Sequence, residues 1–430
     1  MDPNALNLNA NLNLNFMTST PNEVIPILCG TFTSVYLYIL SFSTLTRKLS
    51  VHKKVSAVGP HQYLALSPGR DTLYATGWGW TPGLYAFGIK DGSNDDDGNG
   101  GDGGEKEGEV GRAGEPWKLT LDYKGKTPIT AISSYITIHE NYIYSIGGPT
   151  GEVHAAPSSS SSSSSTSGSK DGEVDNDNGF GKKIQEMVYV PEDKLGGWEK
   201  TNKALRYGAH GIEFDKRGRG YVPDLGENCI WIHQAQPDGT LTLVDKHVSS
   251  RPHDGPRHAV VGRGETSKVL YAVTEHTQFV DVYDLTESGL SYVHSSSLIP
   301  ADANPDDYRG DTIRTSPSTP FVFATTRGKT SSTRGYLCAY ALDPHTGHLV
   351  SPSSTPSAVF QTPTSGGRAN AIEVIETRGR GRGDELEWIV LTDEEERLVL
   401  VISWNGVEFV EVSRVQLEEG DGASHAVWLE

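Results

Sequence analysis

Short apolar runs of about six residues, rich in β-branched and aromatic side chains, recur along the chain and are cut by Gly, Pro, Asp and Asn. The i, i+3, i+4 spacing of an amphipathic helix is nearly absent, so the pattern predicts an all-β protein. The runs also repeat. Tyr74 in TLYATGW, Tyr221 in RGYVPDLG, Tyr271 in VLYAVTE and Phe323 in FVFATTR hold one place in a shared local pattern, with 50 residues from Tyr221 to Tyr271 and 52 from Tyr271 to Phe323. A shorter run precedes each (YLALSP, HGIEFD, RHAVVG, DTIRTS) and a third follows (GLYAFGI, CIWIHQ, FVDVYDL, YLCAYAL). A fourth, more polar run such as TLTLVDKHV or LSYVHSS ends the unit. Four strands in a unit of about 50 residues are the signature of a β-propeller. Six units begin near Gln62, Ser133, His210, His258, Asp311 and Asn370; a seventh is split, with HAVWLE as its innermost strand and PILCGTF, VYLYILSF and LSVHKKV supplying the rest. A seven-bladed propeller of four-stranded blades, closed by its terminal strands, has no free sheet edge at the seam.

Three stretches stand outside this pattern. Residues 1–24 alternate Leu or Ala with Asn, a poor strand former, and read as a disordered leader. Residues 91–115 hold nine glycines and nine acidic side chains against Lys106 and Arg112, and residues 157–183 carry the run Ser158 to Ser165. Both read as low-complexity insertions in a single propeller domain spanning 25–430. The acidic insertion lacks the ligand spacing and closing Glu of a calcium hand, so it reads as solvated loop.

Composition removes several functions. A net charge of −18 opposes nucleic acid and anionic membrane as partners. No apolar run approaches the roughly 18 residues of a membrane span, and the N-terminus lacks a basic region followed by an apolar one. Cys29, Cys229 and Cys338 are too scattered for a disulfide framework or a metal knuckle. The expectation is a reduced, cytoplasmic protein. No Walker loop, GxSxG elbow or dinucleotide fingerprint is present. Self-association stays open.

Propeller geometry places candidate chemistry. Strand one of each blade lines the central channel and strand two returns beside it, so strand-one starts and strand-two ends share a rim. The starts are Gln62, Ser133, His210, His258, Asp311, Asn370 and His425; the ends include Trp78, Gly147, Asp224, Glu275, Arg327 and Asp393. Arg257 and Arg368 lie beside two of the starts. Three arginines on one rim of an acidic protein point to a small anion, since the guanidinium fork pairs with a carboxylate bidentately. Arg257, Arg327, Arg368, Asn370, His258 and His425 are the expected substrate contacts. The arginines could instead pair with Glu275, Asp311 or Asp393 and join blades. Glu275 and His210 facing one mouth form a candidate proton donor and acceptor.

The stretches CGTF, HGIEFD, GPRHAVV, LYAVTEHTQFVDVYDL, YRGDTIRTSPSTPFVFATTR, GYLCAYAL, TPTSGGRANAI and LTDEEERLVLVISW resemble the fungal 3-carboxy-cis,cis-muconate lactonizing enzymes, within the seven-bladed lactonase-like propeller superfamily. The most specific are TPTSGG followed by Asn-Ala, and YRGD with TTR. The resemblance implies catalytic residues at His210, Arg257, Glu275 and Arg327, no metal or redox cofactor, and cycloisomerisation of a small polycarboxylate in aromatic-acid breakdown. Arg257 and Arg327 would hold substrate carboxylates, and Glu275 or His210 would deliver the proton. The chain departs from the family at Arg368, where His is usual, and at His425, where Asn is common, which leaves the particular substrate open. A lactone hydrolase resembling 6-phosphogluconolactonases and a non-catalytic binding scaffold are the alternatives.

Overall fold

A computed structural model describes residues 23–79, 81–91, 118–157, 179–197, 203–350, 355–378 and 385–430. The leader up to residue 22 and nearly all of both insertions lie outside the described residues. Among the described residues, twenty-eight strands form seven four-stranded antiparallel sheets, each running from the channel outward in chain order, apart from one seam. At the seam the innermost strand is Ala423–Trp428, paired to Val24–Thr31, then Tyr36–Ser43 and Lys48–Ser56. The predicted seven-bladed ring, split blade included, is the observed one.

Burial explains the strand sequences. Middle strands such as Val269–Thr274 and Leu398–Trp404 are buried on both faces, because each blade packs against two neighbours, and so they read as continuous apolar runs rather than alternating ones. Outer strands such as Leu241–Val248 face solvent and carry the polar residues. Apolar clusters fill the wedges between blades; at the seam Phe42 meets Trp388 and Trp428 edge-on, with ring centroids 5.0 and 6.2 Å apart. No described helix is long and apolar enough to cross a membrane.

One blade departs from expectation. The innermost strand of the third blade is only Glu213–Phe214, although the repeat places its start at His210. Pro223, opposite, has no N–H to give to the ladder. His210 N–H donates to the Pro223 carbonyl at 2.9 Å, and the His210 carbonyl accepts instead from Ser134 Oγ of the second blade at 2.9 Å. His210 is thereby fixed between two blades at the channel.

Candidate active site

Local irregularities in four innermost strands aim the rim residues. Each strand carries one extra residue against its neighbour: between His61 and Leu64, at Arg257 between Pro256 and His258, between Gly310 and Ile313, and between Ala423 and Ala426. Such bulges turn a side chain out of strict alternation. Gly310 also lets the fifth blade close on the fourth. A Cβ there would sit 2.2 Å from the Thr274 carbonyl, and Gly310 N–H donates to the Glu275 carbonyl at 3.0 Å. Arg309 and Asp311, on either side of Gly310, are carried against Glu275 and its arginines.

Glu275 is the hub of this rim. Its Oε2 accepts from Arg257 Nη1 at 2.5 Å, its Oε1 accepts from Arg309 Nη1 at 3.2 Å, and Arg327 Nη2 approaches Oε1 to 3.7 Å. Asp311 Oδ1 forms ion pairs with Arg257 Nη2 at 3.0 Å and Arg327 Nε at 3.1 Å, while its Oδ2 accepts from Asn370 N–H at 2.7 Å. Arg327 Nη1 is spent on the carbonyls of Gly367 and Arg368. Burial alone would raise the Glu275 carboxyl, but Arg257, Arg327 and Arg309 outweigh it and hold the group at about 2. His210 is pushed the other way from protonation: burial first, then Arg257 and Arg327, keep it well below the ordinary imidazole value. The resting site therefore holds an ionised carboxylate and a neutral imidazole.

These groups open into a chamber of about 310 Å³. Among the described residues, Lys203, Arg206, Arg257, Arg309, Arg327 and Arg368 bring six cations to its wall against the single carboxylate Glu275, and Phe32 and Trp78 form an apolar side. His210 lines it too, so the structure places His210, Arg257, Glu275 and Arg327 together at one end of the channel.

The other expected substrate contacts divide. Arg368 stands at the mouth, half exposed and paired with Glu394 at 3.0 Å. Asn370, His258 and His425 do not line the open chamber; His258 and His425 border a recess of about 20 Å³ that shares His210, Arg257 and Arg368 with it. Asn370 donates from Nδ2 to the Thr326 carbonyl at 2.9 Å and serves the join between blades. His258 lies behind His210, with Nε2 3.2 Å from His210 Nδ1. His425 is deeper, stacked on Tyr63 at 3.9 Å and bonded to Glu373 at 3.2 Å. The reason is that the channel narrows below the rim, where Tyr63 and Tyr135 fill it with rings 4.3 Å apart.

Arg309, Lys203 and Arg206 escaped the sequence reading. Arg309 had a signal, since it sits two residues ahead of Asp311 and pairs in register with Arg327. Arg206 ends a short helical turn, Ala204–Arg206, and Lys203 directly precedes it; both lie outside the repeat, which carries no signal for them. Among the described residues, no group of three or more His, Cys, Asp or Glu could hold a metal ion.

The Lactonase, 7-bladed beta-propeller family matches residues 173–361 of the chain. Muconate cycloisomerase 1 of Cutaneotrichosporon cutaneum is 32% identical over 418 residues, spanning 94% of this chain and 98% of that protein. The chain belongs to the muconate-lactonizing family of seven-bladed lactonase-like propellers. Carboxy-cis,cis-muconate cyclase of Neurospora crassa is 28% identical over 254 residues, covering 55% of this chain and 65% of that protein. The periplasmic gluconolactonase of Pseudomonas aeruginosa shares the fold, with a TM-score of 0.69 over 95% of this chain and 99% of that one at 14% identity.

The depressed Glu275 value carries a consequence for stability. Its folded value of about 2 lies below its ordinary 4.5, so ionised Glu275 stabilises the fold fully above pH 4.5 and the contribution is lost as pH falls from 4.5 toward 2. About 3 kcal/mol is at stake. Urea titrations stepped across that window are expected to show the loss in the native protein and a shallower one in Glu275→Gln.

Proposed function

We propose that this chamber binds a small polycarboxylate and closes it to a lactone, as a cofactor-independent cycloisomerase acting on a carboxylated cis,cis-muconate. The observation that carries the reading is a buried carboxylate kept ionised by arginines in a chamber whose other charged side chains, among the described residues, are all cations. Such a site favours an incoming polyanion, and the polyanion competes with Glu275 for the same guanidinium groups.

The chemistry is an internal addition. One carboxylate oxygen forms a C–O bond to an alkene carbon, the π pair moves to the adjacent carbon conjugated with a second carboxylate, and that carbon takes one proton. A trianionic substrate becomes a dianionic lactone and one proton is consumed per turnover. Arg257, Arg309 and Arg327 lie where they can hold the carboxylates and stabilise the enolate-like charge. Once substrate carboxylates take those guanidinium groups, burial raises the proton affinity of Glu275 and makes it the donor. Burial opposes the same role for His210, whose charged form is also repelled by the arginines. His210 instead orients substrate, with its Nδ1 tied to His258. After transfer, ionised Glu275 reclaims the arginines and the less charged product is released.

Purified protein incubated with 3-carboxy-cis,cis-muconate should abolish the diene absorbance. Persisting absorbance with hydrolysis of 6-phosphogluconolactone would replace this reading with lactone hydrolysis; turnover of neither would leave a binding scaffold. Arg309→Ala separates binding from folding. Its side chain is one-third exposed and makes one contact to Glu275, so stability should change by no more than about 1 kcal/mol. Loss of a charge-assisted contact to a substrate carboxylate should raise KM about 10- to 100-fold, read by steady-state kinetics beside a thermal melt.

A further inference from the structure

The channel holds a second chamber that the proposed reaction does not use. It lies at the opposite rim, where the innermost strands end, and has a volume of about 390 Å³. A waist of packed rings divides the two: Tyr63 stacked on His425 at 3.9 Å, Tyr135 tilted against Tyr63 at 4.3 Å, and His258 edge-on to Tyr135 at 5.4 Å. The walls combine apolar surface from Leu66, Ile138, Ile375 and Trp428 with a few convergent polar groups, the usual make-up of a small-molecule site.

The polar groups are unequal. Arg314 is fully engaged: Nε and Nη2 reach Glu373 Oε1 at 2.9 and 2.6 Å, Nη1 donates to the Ile313 carbonyl at 2.8 Å, and Nη2 also meets the Tyr63 hydroxyl. Arg314 and Glu373 thus cancel as a closed pair. Arg263 is exposed and commits only Nε, to Thr315 Oγ1 at 3.0 Å, so its outer fork stays available to a ligand. Glu213 faces the same space from the short innermost strand of the third blade.

We infer that this chamber binds a compact monocarboxylic acid with an apolar body, its carboxylate shared between the outer fork of Arg263 and the carboxyl of Glu213. Two carboxyl groups can share the site only if one of them is protonated. Burial raises Glu213 to about 7 against the opposing pull of Arg314 and Arg263, with Glu373 adding to the rise. The charged and titratable groups facing it are those three together with Tyr135 and Tyr63, and both phenols stay neutral across the range because burial raises them. Near neutrality Glu213 supplies the shared proton. Above pH 7 it ionises and repels the ligand, so binding takes up a proton and weakens as pH rises.

Calorimetry with benzoate at pH 6 and pH 8 tests this without reference to lactonisation. The full chain should bind one benzoate, about tenfold tighter at pH 6 than at pH 8. Glu213→Gln should erase that pH dependence, Arg263→Ala should weaken binding about tenfold at either pH with an unchanged melting curve, and Arg309→Ala in the first chamber should leave binding unaltered. Benzoate binding that is lost in Arg309→Ala but kept in Arg263→Ala would overturn the inference. So would undetectable binding, or a pH dependence that survives in Glu213→Gln.

Discussion

Glu275→Gln is expected to lower kcat for lactonisation by about 10²- to 10⁴-fold, the usual worth of a positioned proton donor. The same substitution should lower KM. Gln keeps the shape of the side chain but brings no negative charge, so Arg257, Arg309 and Arg327 lose their internal competitor and are free for the substrate. A purely structural role for Glu275 would move KM upward, because the rim would loosen. Steady-state kinetics on a carboxymuconate separates the two outcomes by the sign of the KM change.

Arg257→Ala should cost the fold about 3–5 kcal/mol, the penalty of stripping one partner from a buried ion cluster. Arg257 is buried and bridges two carboxylates that are themselves buried, Glu275 and Asp311. Its removal leaves Arg309 and a distant contact from Arg327 to balance Glu275, and Arg327 alone to balance Asp311. Chemical denaturation measures the loss directly. An effect below about 1 kcal/mol would place this arginine with exposed ion pairs and contradict the burial. The contrast with Arg309→Ala is informative: one arginine holds the blades and the carboxylates, the other reaches into open space.

What the sequence made legible follows from symmetry. A repeat of apolar runs names the blades, and blade geometry assigns His210, Arg257, Glu275 and Arg327, from four places in the chain, to one end of the channel. Depth was not legible. His258 follows Arg257 directly, yet the extra residue at Arg257 sends one toward the chamber and leaves the other behind His210. His425 begins its strand as the others do, but packs on Tyr63, and aromatic filling of the channel has no signature in a repeat count. Arg309 sits two residues before Asp311, but the repeat marks only one start per blade and so does not single it out. Lys203 and Arg206 follow a stretch with no periodicity, so only coordinates could bring them to the chamber.

If a bound polycarboxylate takes the arginines away from Glu275, the carboxylate left behind takes up a proton. Infrared difference spectra at neutral pH, recorded on adding the unreactive tricarboxylate tricarballylate, address it directly. The gain of a protonated-carboxyl band and loss of a carboxylate band are expected in the native protein, both missing in Glu275→Gln. Saturating tricarballylate with Glu275 still ionised would contradict it.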